Sequence, residues 1–288
     1  MDPNTTETEW GSKAWRLLSE VRSQSPLIQC ITNFVSMDIV ANTLLSAGAS
    51  PAMLHAAEEL PDFTPRAAAL VVNVGTLSPS WLPAMKAAAR LCMTLATPWV
   101  LDPVAASASA FRLDACRELL KLRPTVVRGN ASEIIALSQA SAAAQPHTNA
   151  ASKSLHIVKG VDSVHKSMDA VEAAKLLART SGAIVAVSGA TDIVTDGNRV
   201  VGAHNGVAMM QKITATGCSV TALIAAFVAV DKSHALDAAV SALAVFGVAG
   251  ELGMKMAKGP ASLRMHLIDE LYGLDESALN SHVNVTSL

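Results

Sequence analysis

Short apolar runs that alternate with helical patterns are the feature that most constrains the fold of this chain. Three runs, residues 27–31, 69–75 and 183–189, are strand-like and are followed by small or polar residues. Segments with apolar residues at helical spacing lie between such runs, for example residues 79–95. This alternation is typical of β-α-β units, so we predict an α/β fold with a mostly parallel central sheet and helices on both faces.

The chain is expected to form a single domain spanning residues 1–288. Of its 288 residues 51% are hydrophobic, which is enough to fill one large core. We predict a polar N-terminal tail at residues 1–10 and a surface loop at residues 138–154, where Ala and Ser predominate. The α/β alternation resumes after that loop, so we do not interpret the loop as a linker between domains.

Charge and cysteine content narrow the class of protein. A net charge of -2 with 3% aromatic residues argues against a nucleic-acid-binding protein, which would show a basic face. The four cysteines are far apart and form no C-x-x-C pair, which favours a reduced, cytoplasmic protein. The apolar runs 220–230 and 238–249 are shorter than the roughly 20 residues of a membrane span, so no membrane association is expected.

Residues 213–222 combine small and hydroxyl side chains directly before an apolar, Ala-rich run at 223–230. If the run is a helix, its first turn leaves N–H groups unpaired at the positive end of the helix dipole. Such a terminus binds phosphate without a lysine, and it would also stabilise a thiolate at Cys218. A capped core helix with an inert cysteine explains the same residues, and this segment alone does not decide between the two.

Polar residues follow several of the predicted strands. Because ligands of open parallel sheets bind at the carboxyl ends of strands, this coincidence predicts a phosphate and metal site at one edge of the sheet. The residues concerned are Thr32, Asn33, Asn73, Thr76, Asp102, Arg128, Asn130, Ser188 and the segment 214–218.

Each of these polar residues also has a purely structural explanation. Asp102 suits Mg²⁺ held through water, or it is a turn residue. Asn130 and Glu133 have the spacing of a helix capping box, while a metal site would place Glu133 near Mg²⁺ or its waters. Arg128 suits phosphate oxygens, or it is a surface charge, and Ser188 alone marks no more than a turn.

Common catalytic motifs are absent from the sequence. It contains no H-x-H or H-E-x-x-H pattern, so a zinc site is unsupported, and no G-x-S-x-G serine-hydrolase motif. Neither a Walker P-loop nor a G-x-G-x-x-G fingerprint is present. A phosphate site in this chain must therefore be of another type.

Seven short segments, each common alone, occur in a specific order along the chain. They are Gln29–Asn33, Gly48–Met53, Asn73–Leu77, Leu101–Val104, Arg128–Asn130 with Glu133, Lys159–Asp162 and Thr214–Cys218. Together they resemble the hydroxyethylthiazole kinase family of the ribokinase-like superfamily, from about Pro26 to Pro260. The resemblance implies a single-domain ribokinase-like sandwich, in which ATP and Mg²⁺ phosphorylate the hydroxyl of 4-methyl-5-(2-hydroxyethyl)thiazole in thiamine salvage. It also implies a homotrimer with active sites between subunits.

The resemblance assigns roles to residues of this chain. Cys218 stands where related sugar kinases carry a catalytic Asp, and it either orients or deprotonates the hydroxyl. Asp102 and Glu133 match the metal region. Met53 and Ala215 take the family's substrate-contact positions, and Arg128 and Ser188 take its ATP-contact positions. From their place in the chain we add Asn33 and Val35 to the predicted substrate-binding residues, and Asn130, Thr216 and Gly217 to the predicted ATP-binding residues.

Three departures from the family pattern are expected to affect the rate of the reaction or the affinity for substrates, but not the type of reaction. Ala215 and Ala105 stand where the family often has Gly, and Ser107 replaces another Gly.

Two alternative functions remain open from the sequence. The first is that of another ribokinase-like kinase, of the hydroxymethylpyrimidine type, and the second is that of a non-catalytic thiazole or nucleotide sensor.

Overall fold

A computed structural model describes residues 3–142 and 165–288, which form one nine-stranded sheet flanked by helices. The strands are β1 (Leu27–Ile31), β2 (Ser50–Ala52), β3 (Ala69–Asn73), β4 (Trp99–Asp102), β5 (Val126–Asn130), β6 (Ile184–Ser188), β7 (Asp192–Thr195), β8 (Val200–Ala203) and β9 (Val285–Ser287). The helices are α1 (Pro3–Gln24), α2 (Met37–Ser46), α3 (Leu60–Phe63), α4 (Trp81–Leu95), α5 (Ala110–Leu120), α6 (Ala131–Ala142), α7 (His165–Ser181), α8 (Thr216–Val230), α9 (Ala235–Met254), α10 (Pro260–Gly273) and α11 (Glu276–His282).

The strand order is β2-β1-β3-β4-β5-β6-β7-β8-β9. Strands β1 to β6 pair in parallel, while β7, β8 and β9 continue the sheet in antiparallel fashion. The predicted mostly parallel α/β sheet is thus confirmed. Strands β7 and β8 form a hairpin, which is not at the edge of the sheet because β9 pairs with β8 on its other side.

Alternate side chains of the strands feed two separate cores, one on each face of the sheet. In β3, Ala69 and Val71 pack in one core, and Leu70 and Val72 pack in the other. Because both faces are covered, β3 is buried along its whole length, which explains its uninterrupted apolar sequence. The first core is completed mainly by α1, α2, α8 and α9, and the second by α4, α5, α6 and α7.

One described helix is apolar and long enough to cross a membrane: α9 together with the turn before it, Lys232–Met254. Most of its apolar window, 78%, is buried inside the protein. Buried packing against α8 and α10 accounts for this hydropathy, as expected for a core helix.

Two predicted boundaries need correction. The segment 1–10 is not a tail throughout, because α1 begins at Pro3 and Trp10 packs in the core. The loop predicted at 138–154 begins later, because α6 extends to Ala142 and Ser138 is buried. The remainder of that loop, 143–154, and the motif Lys159–Asp162 lie outside the described residues.

Candidate functional site

Three polar side chains meet at the carboxyl ends of adjacent parallel strands. Asn33 follows β1, Asn73 ends β3 and Asp102 ends β4, and all three are buried. Helix α8 crosses this edge and adds Cys218 and Thr221. We call these five residues the polar cluster.

The polar cluster is joined by side-chain hydrogen bonds. Asn73 Nδ2 donates to Asp102 Oδ2 at 2.8 Å and to Cys218 Sγ at 3.2 Å. Asn33 Nδ2 donates to Asn73 Oδ1 at 2.8 Å and to Cys218 Sγ at 3.4 Å. The Thr221 hydroxyl donates to Asp102 Oδ2 at 2.9 Å. The carboxylate and the thiol are therefore held in fixed positions relative to one another.

Burial raises the pKa of Asp102 from its usual value of 3.8 to about 6. The positive charge of Arg128 opposes this shift, and repulsion from Glu133 adds to it. The hydrogen bonds from Thr221 and Asn73 lower the pKa of Asp102, but they do not offset burial. Asp102 is thus a carboxylate whose negative charge the fold alone does not fully stabilise.

The raised pKa of Asp102 predicts that unfolding becomes easier as pH rises from 3.8 to about 6. In that window the folded chain binds this proton more tightly than the unfolded chain does, so removing protons favours unfolding. Above pH 6 the full cost of the buried charge is present. We expect the melting temperature of Asp102→Asn relative to the wild-type protein to increase across this window and then level off. A difference that stays constant with pH would contradict the prediction.

Glu133 joins the loops that follow β4 and β5. Its Oε1 accepts from the Ala105 N–H at 2.7 Å, and its Oε2 accepts from the Asn130 N–H at 2.8 Å. Asn130 Oδ1 in turn accepts from the Glu133 N–H at 3.0 Å. The capping-box interpretation of Asn130 and Glu133 is therefore confirmed, and Glu133 is a buried residue.

The donor set at this edge suits Mg²⁺ bound mainly through water. No group of three or more His, Cys, Asp or Glu side chains is arranged as a metal site within residues 3–142 and 165–288. Mg²⁺ commonly needs only one or two carboxylates in addition to water and substrate phosphates. Asp102 and Glu133 repel each other, and a divalent cation would neutralise this excess of negative charge. Both Glu133 oxygens already accept backbone N–H groups, so Glu133 suits an indirect contact.

The first turn of α8 presents unpaired backbone donors. The first bond of the helix runs from Ser219 N–H to the Ala215 carbonyl, so the N–H groups of Thr216, Gly217 and Cys218 have no partner within the helix. These three residues are half-buried, not sealed in the interior. The predicted anion site is therefore geometrically available, although the Thr216 hydroxyl points back to the carbonyls of Met210 and Ile213.

Two of the family departures fall on residues with left-handed backbone conformation. Ala215 has φ 64° and Ala105 has φ 53°. Glycine adopts such angles without steric cost, whereas alanine pays roughly 1–2 kcal/mol. This conformation explains why glycine would suit both positions, and Ala215 and Ala105 retain it because the surrounding chain holds them there.

A cavity of about 290 Å³ opens beside the first turn of α8. Arg128, Ser188, Thr216 and Gly217 of the predicted ATP-binding set line it. Asn130 is not among the lining residues, because its side chain caps α6. The structure also adds lining residues that the sequence interpretation missed, namely Asp192, Asn205, Gly206, Val207, Met210, Leu243, Phe246 and Gly247.

Arg128 is held at the cavity wall with a donor to spare. One of its terminal nitrogens, Nη2, donates to the Ser188 hydroxyl at 2.5 Å. Its Nε–H is buried and has no hydrogen-bond partner among the described residues. Gly217 lies so close that a Cβ there would be 2.6 Å from Arg128 Nη1. An oxyanion entering the cavity would meet both the guanidinium and the amides of α8.

Cys218 differs from its expected ionisation. Position on the first turn of a helix was expected to favour the thiolate, but burial and the charge of Asp102 raise the pKa of the thiol. The amides of Asn33 and Asn73 and the charge of Arg128 lower it to a lesser extent. Cys218 is therefore a neutral thiol at pH 7, whose sulfur already accepts two amide N–H groups.

The predicted substrate-binding residues lie on three segments around the polar cluster. Asn33 and Val35 share the loop after β1, where Asn33 Oδ1 accepts from the Val35 N–H at 3.1 Å. The Val35 side chain is 60% exposed, whereas Met53 is half-buried after the neighbouring strand β2. Ala215 caps α8 immediately before the unpaired amides. Of these four residues, Asn33 contacts Cys218 through its Nδ2, and Ala215 precedes Cys218 by three residues.

Arg112 on α5 ties together the loops after β3 and β4. Its Nη1 donates to the carbonyl oxygens of Gly75 at 3.0 Å and of Val104 at 3.1 Å, and also to that of Val74. Asn73 Oδ1 accepts from the Gly75 N–H at 2.9 Å within the first of these loops. A residue outside the polar cluster therefore fixes two of the loops that carry it.

The chain is similar to known proteins in both sequence and structure. The model of the hydroxyethylthiazole kinase family matches residues 18–277. A hydroxyethylthiazole kinase of Arabidopsis thaliana is 63% identical over 288 residues, covering 100% of both chains. The structure of a hydroxyethylthiazole kinase protein from Pyrococcus horikoshii OT3 superposes with TM-score 0.85 at 37% identity, covering 96% of this chain and 98% of that one.

A more distant structural match is the ADP complex of Bacillus subtilis pyridoxal kinase, with TM-score 0.57 and 16% identity. It covers 83% of this chain and 98% of that chain. At this identity the match concerns the fold, which is the ribokinase-like α/β sandwich predicted from the sequence.

Proposed function

The chain belongs to the hydroxyethylthiazole kinase family, and from this premise we propose how its site carries out the reaction. The enzyme transfers the γ-phosphoryl group of ATP to the hydroxyl of 4-methyl-5-(2-hydroxyethyl)thiazole, a step of thiamine salvage. One observation carries the mechanism: a single turn of α8 gives Thr216 and Gly217 to the cavity and Cys218 to the polar cluster. The donor and acceptor of the phosphoryl group would thus meet across one helix turn.

ATP would occupy the cavity with its phosphates toward α8. Arg128, Ser188 and the amides of Thr216 and Gly217 offer donors at that end, and Asn130 would contribute indirectly, through the start of α6 that it caps. Since the transition state of phosphoryl transfer is loose, donors that hold the transferring group and neutralise its charge supply most of the acceleration.

The acceptor would lie between Asn33, Val35, Met53 and Ala215. The thiazole is neutral and largely apolar, and this surface offers apolar side chains with few charges. The sulfur of Cys218 is engaged by two amides, so its S–H remains free to donate to the acceptor oxygen. We assign Cys218 to orienting the hydroxyl rather than to removing its proton.

Asp102 and Glu133 would hold Mg²⁺, Asp102 directly or through one water and Glu133 through water. The ion would supply charge neutralisation at the β- and γ-phosphate oxygens. In its absence Arg128 is the positive charge that offsets Asp102.

Cys218→Ala is expected to slow turnover without abolishing it. The variant loses an orienting contact, and it leaves the amides of Asn33 and Asn73 with one acceptor fewer. We expect kcat to fall by roughly tenfold, which is less than the roughly 10²–10⁴-fold that a positioned general acid or base contributes. Steady-state kinetics would measure this. A loss as complete as that of an Asp102→Ala variant would show that Cys218 is the base after all.

We also propose that the protein is a cytoplasmic homotrimer whose active sites lie between subunits. Several large apolar side chains are exposed: Phe34 and Val35 in the loop after β1, Leu45 on α2 and Met265 on α10. Helices α2 and α10, which carry two of them, pack against each other. Exposed apolar surface is typical of subunit interfaces. Analytical ultracentrifugation would give the number of subunits.

The activity itself is tested by measuring ADP release with ATP, Mg²⁺ and hydroxyethylthiazole. Hydroxymethylpyrimidine serves as the control acceptor, because a ribokinase-like kinase of the hydroxymethylpyrimidine type would phosphorylate it. Turnover with the thiazole and not with the pyrimidine is the expected result. Thiazole binding without ADP release would instead favour a sensor.

A further inference from the structure

The segment 205–207 forms part of the cavity wall and is also bonded to α9. Asn205, Gly206 and Val207 line the cavity. The Gly206 N–H donates to Glu251 Oε1 at 2.7 Å, and Asn205 Nδ2 lies 3.2 Å from each oxygen of the same carboxylate. One glutamate of α9 thus accepts donors from two consecutive wall residues, and hydrogen bonds to a carboxylate are among the stronger ones in proteins.

The wall segment packs directly against the backbone of α9. A Cβ at Gly247, one helical turn before Glu251, would lie 2.6 Å from the backbone carbon of Asn205. Gly206 has φ +124°, which L side chains rarely adopt. Glycine allows the backbone conformation of the wall but does not impose it. The contacts with α9 therefore hold the wall in this conformation.

The end of the chain holds the same asparagine from another direction. Asn205 Nδ2 donates to the His282 carbonyl at 2.7 Å, and Asn205 Oδ1 accepts from the Asn284 N–H at 2.8 Å. Because Asn205 is restrained from α9 and from the segment before β9, its rotation would require breaking several bonds at once. The side chain of Asn205 therefore fixes the position of the wall backbone.

The cavity is lined by both polar and apolar groups. Arg128 and Ser188 lie beside the first turn of α8, where the donors suit phosphate. Val207, Met210 and Phe246 provide apolar surface that suits the flat face of a purine base. The wall segment carries Val207 and leads into Met210, so its position sets the shape of the base-binding end.

We propose that Glu251 is a positioning residue for the nucleotide: through Asn205 and Gly206 it holds the wall that receives the base of ATP. Glu251 need not touch the substrate itself. The proposal rests on the placement of ATP in this cavity, and it adds a determinant of nucleotide affinity that lies outside the phosphate-binding residues.

Glu251→Gln tests the proposal, since it keeps the size of the side chain but replaces one acceptor oxygen with an NH₂ group. We expect the Kd for ATP, measured by calorimetry, to rise roughly tenfold as strong hydrogen bonds are lost. The Kd for hydroxyethylthiazole and kcat at saturating ATP should stay within about twofold of wild type, because the acceptor surface is on another part of the sheet edge.

Glu276→Gln on α11 is the matched control, because Glu276 is exposed and away from the cavity. It should bind ATP like the wild-type protein. Glu251→Asp keeps a carboxylate on a shorter side chain and should lose less affinity than Glu251→Gln. If the glutamine variant does not fold, Glu251→Asp is the test: its Kd for ATP should exceed that of the wild-type protein while its Kd for hydroxyethylthiazole stays the same, and an unchanged Kd for ATP would overturn the proposal.

Unchanged ATP affinity in folded Glu251→Gln would overturn the proposal, and so would an equal loss of thiazole affinity, which would indicate general loosening. Because binding is measured without turnover, wild-type protein that binds ATP but does not phosphorylate the thiazole would refute the proposed reaction alone. Wild-type protein that binds no ATP would overturn both.

Discussion

Asp102→Asn is expected to lower kcat by on the order of 10²–10³ while raising the melting temperature at pH 7 by a few degrees. The asparagine oxygen can still accept the hydrogen bonds from Asn73 and Thr221, so the packing of the polar cluster is retained. The negative charge that would attract Mg²⁺ is lost. Removing a charge whose burial raises its pKa to about 6 also relieves its repulsion with Glu133, which stabilises the fold.

The opposite signs of the two effects distinguish this prediction from simple damage to the structure. Steady-state kinetics and thermal melting on the same preparation would measure both. Asp269→Asn, an equivalent change at an exposed position on α10, is the control and should alter neither. If the Asp102→Asn variant keeps most of its activity, the carboxylate of Asp102 has no part in the mechanism. If the variant has a lower melting temperature than the wild-type protein, Asp102 stabilises the fold.

Gly217→Ala is expected to raise the KM for ATP by on the order of 10- to 100-fold. The new methyl group would stand 2.6 Å from Arg128 Nη1, at the position where the guanidinium and the helix amides converge. The guanidinium must then shift away from Ser188, or the methyl group must narrow the space for a phosphate. Alanine is the better helix former, so stability should stay equal or rise by up to about 1 kcal/mol.

Gly259→Ala provides the matched control for this substitution. A Cβ at Gly259 would have no heavy atom within 4 Å, and the residue lies outside the cavity lining. ATP saturation curves of the two variants and the wild-type protein give the comparison. An unchanged KM in Gly217→Ala would mean that phosphates do not approach this turn of α8.

The parallel part of the sheet could be predicted because strands buried on both faces are uninterrupted apolar runs in the sequence. Strands such as β3 are apolar at every position, and turn residues mark where they end. Strand β9 could not be predicted in this way, because three residues are too few to show a periodic pattern. It is a strand because it pairs with β8. The start of α1 was missed for a similar reason: its first turns are polar, and Trp10 becomes a core residue only through tertiary packing.

The polar cluster was predicted in part because three of its members lie at the ends of strands that are adjacent in the sheet. Asn33, Asn73 and Asp102 follow apolar runs, and Thr221 was missed although it lies one helical turn beyond Cys218. The protonation of Cys218 could not be predicted, because helix position favours the thiolate while burial and Asp102, which are tertiary effects, oppose it. The cavity wall at Asn205 likewise depends on contacts with α9 that are distant in sequence.

Arg112 has a consequence for changing the acceptor preference of this enzyme. The guanidinium of Arg112 donates hydrogen bonds to carbonyl oxygens of two loops. The two loops and α5 therefore depend on one another for their conformation. Grafting either loop alone from a kinase with another acceptor would disturb the hydrogen bonds by which Arg112 holds both loops. Redesign by loop exchange would succeed only if both loops and the helix that pins them were transplanted together.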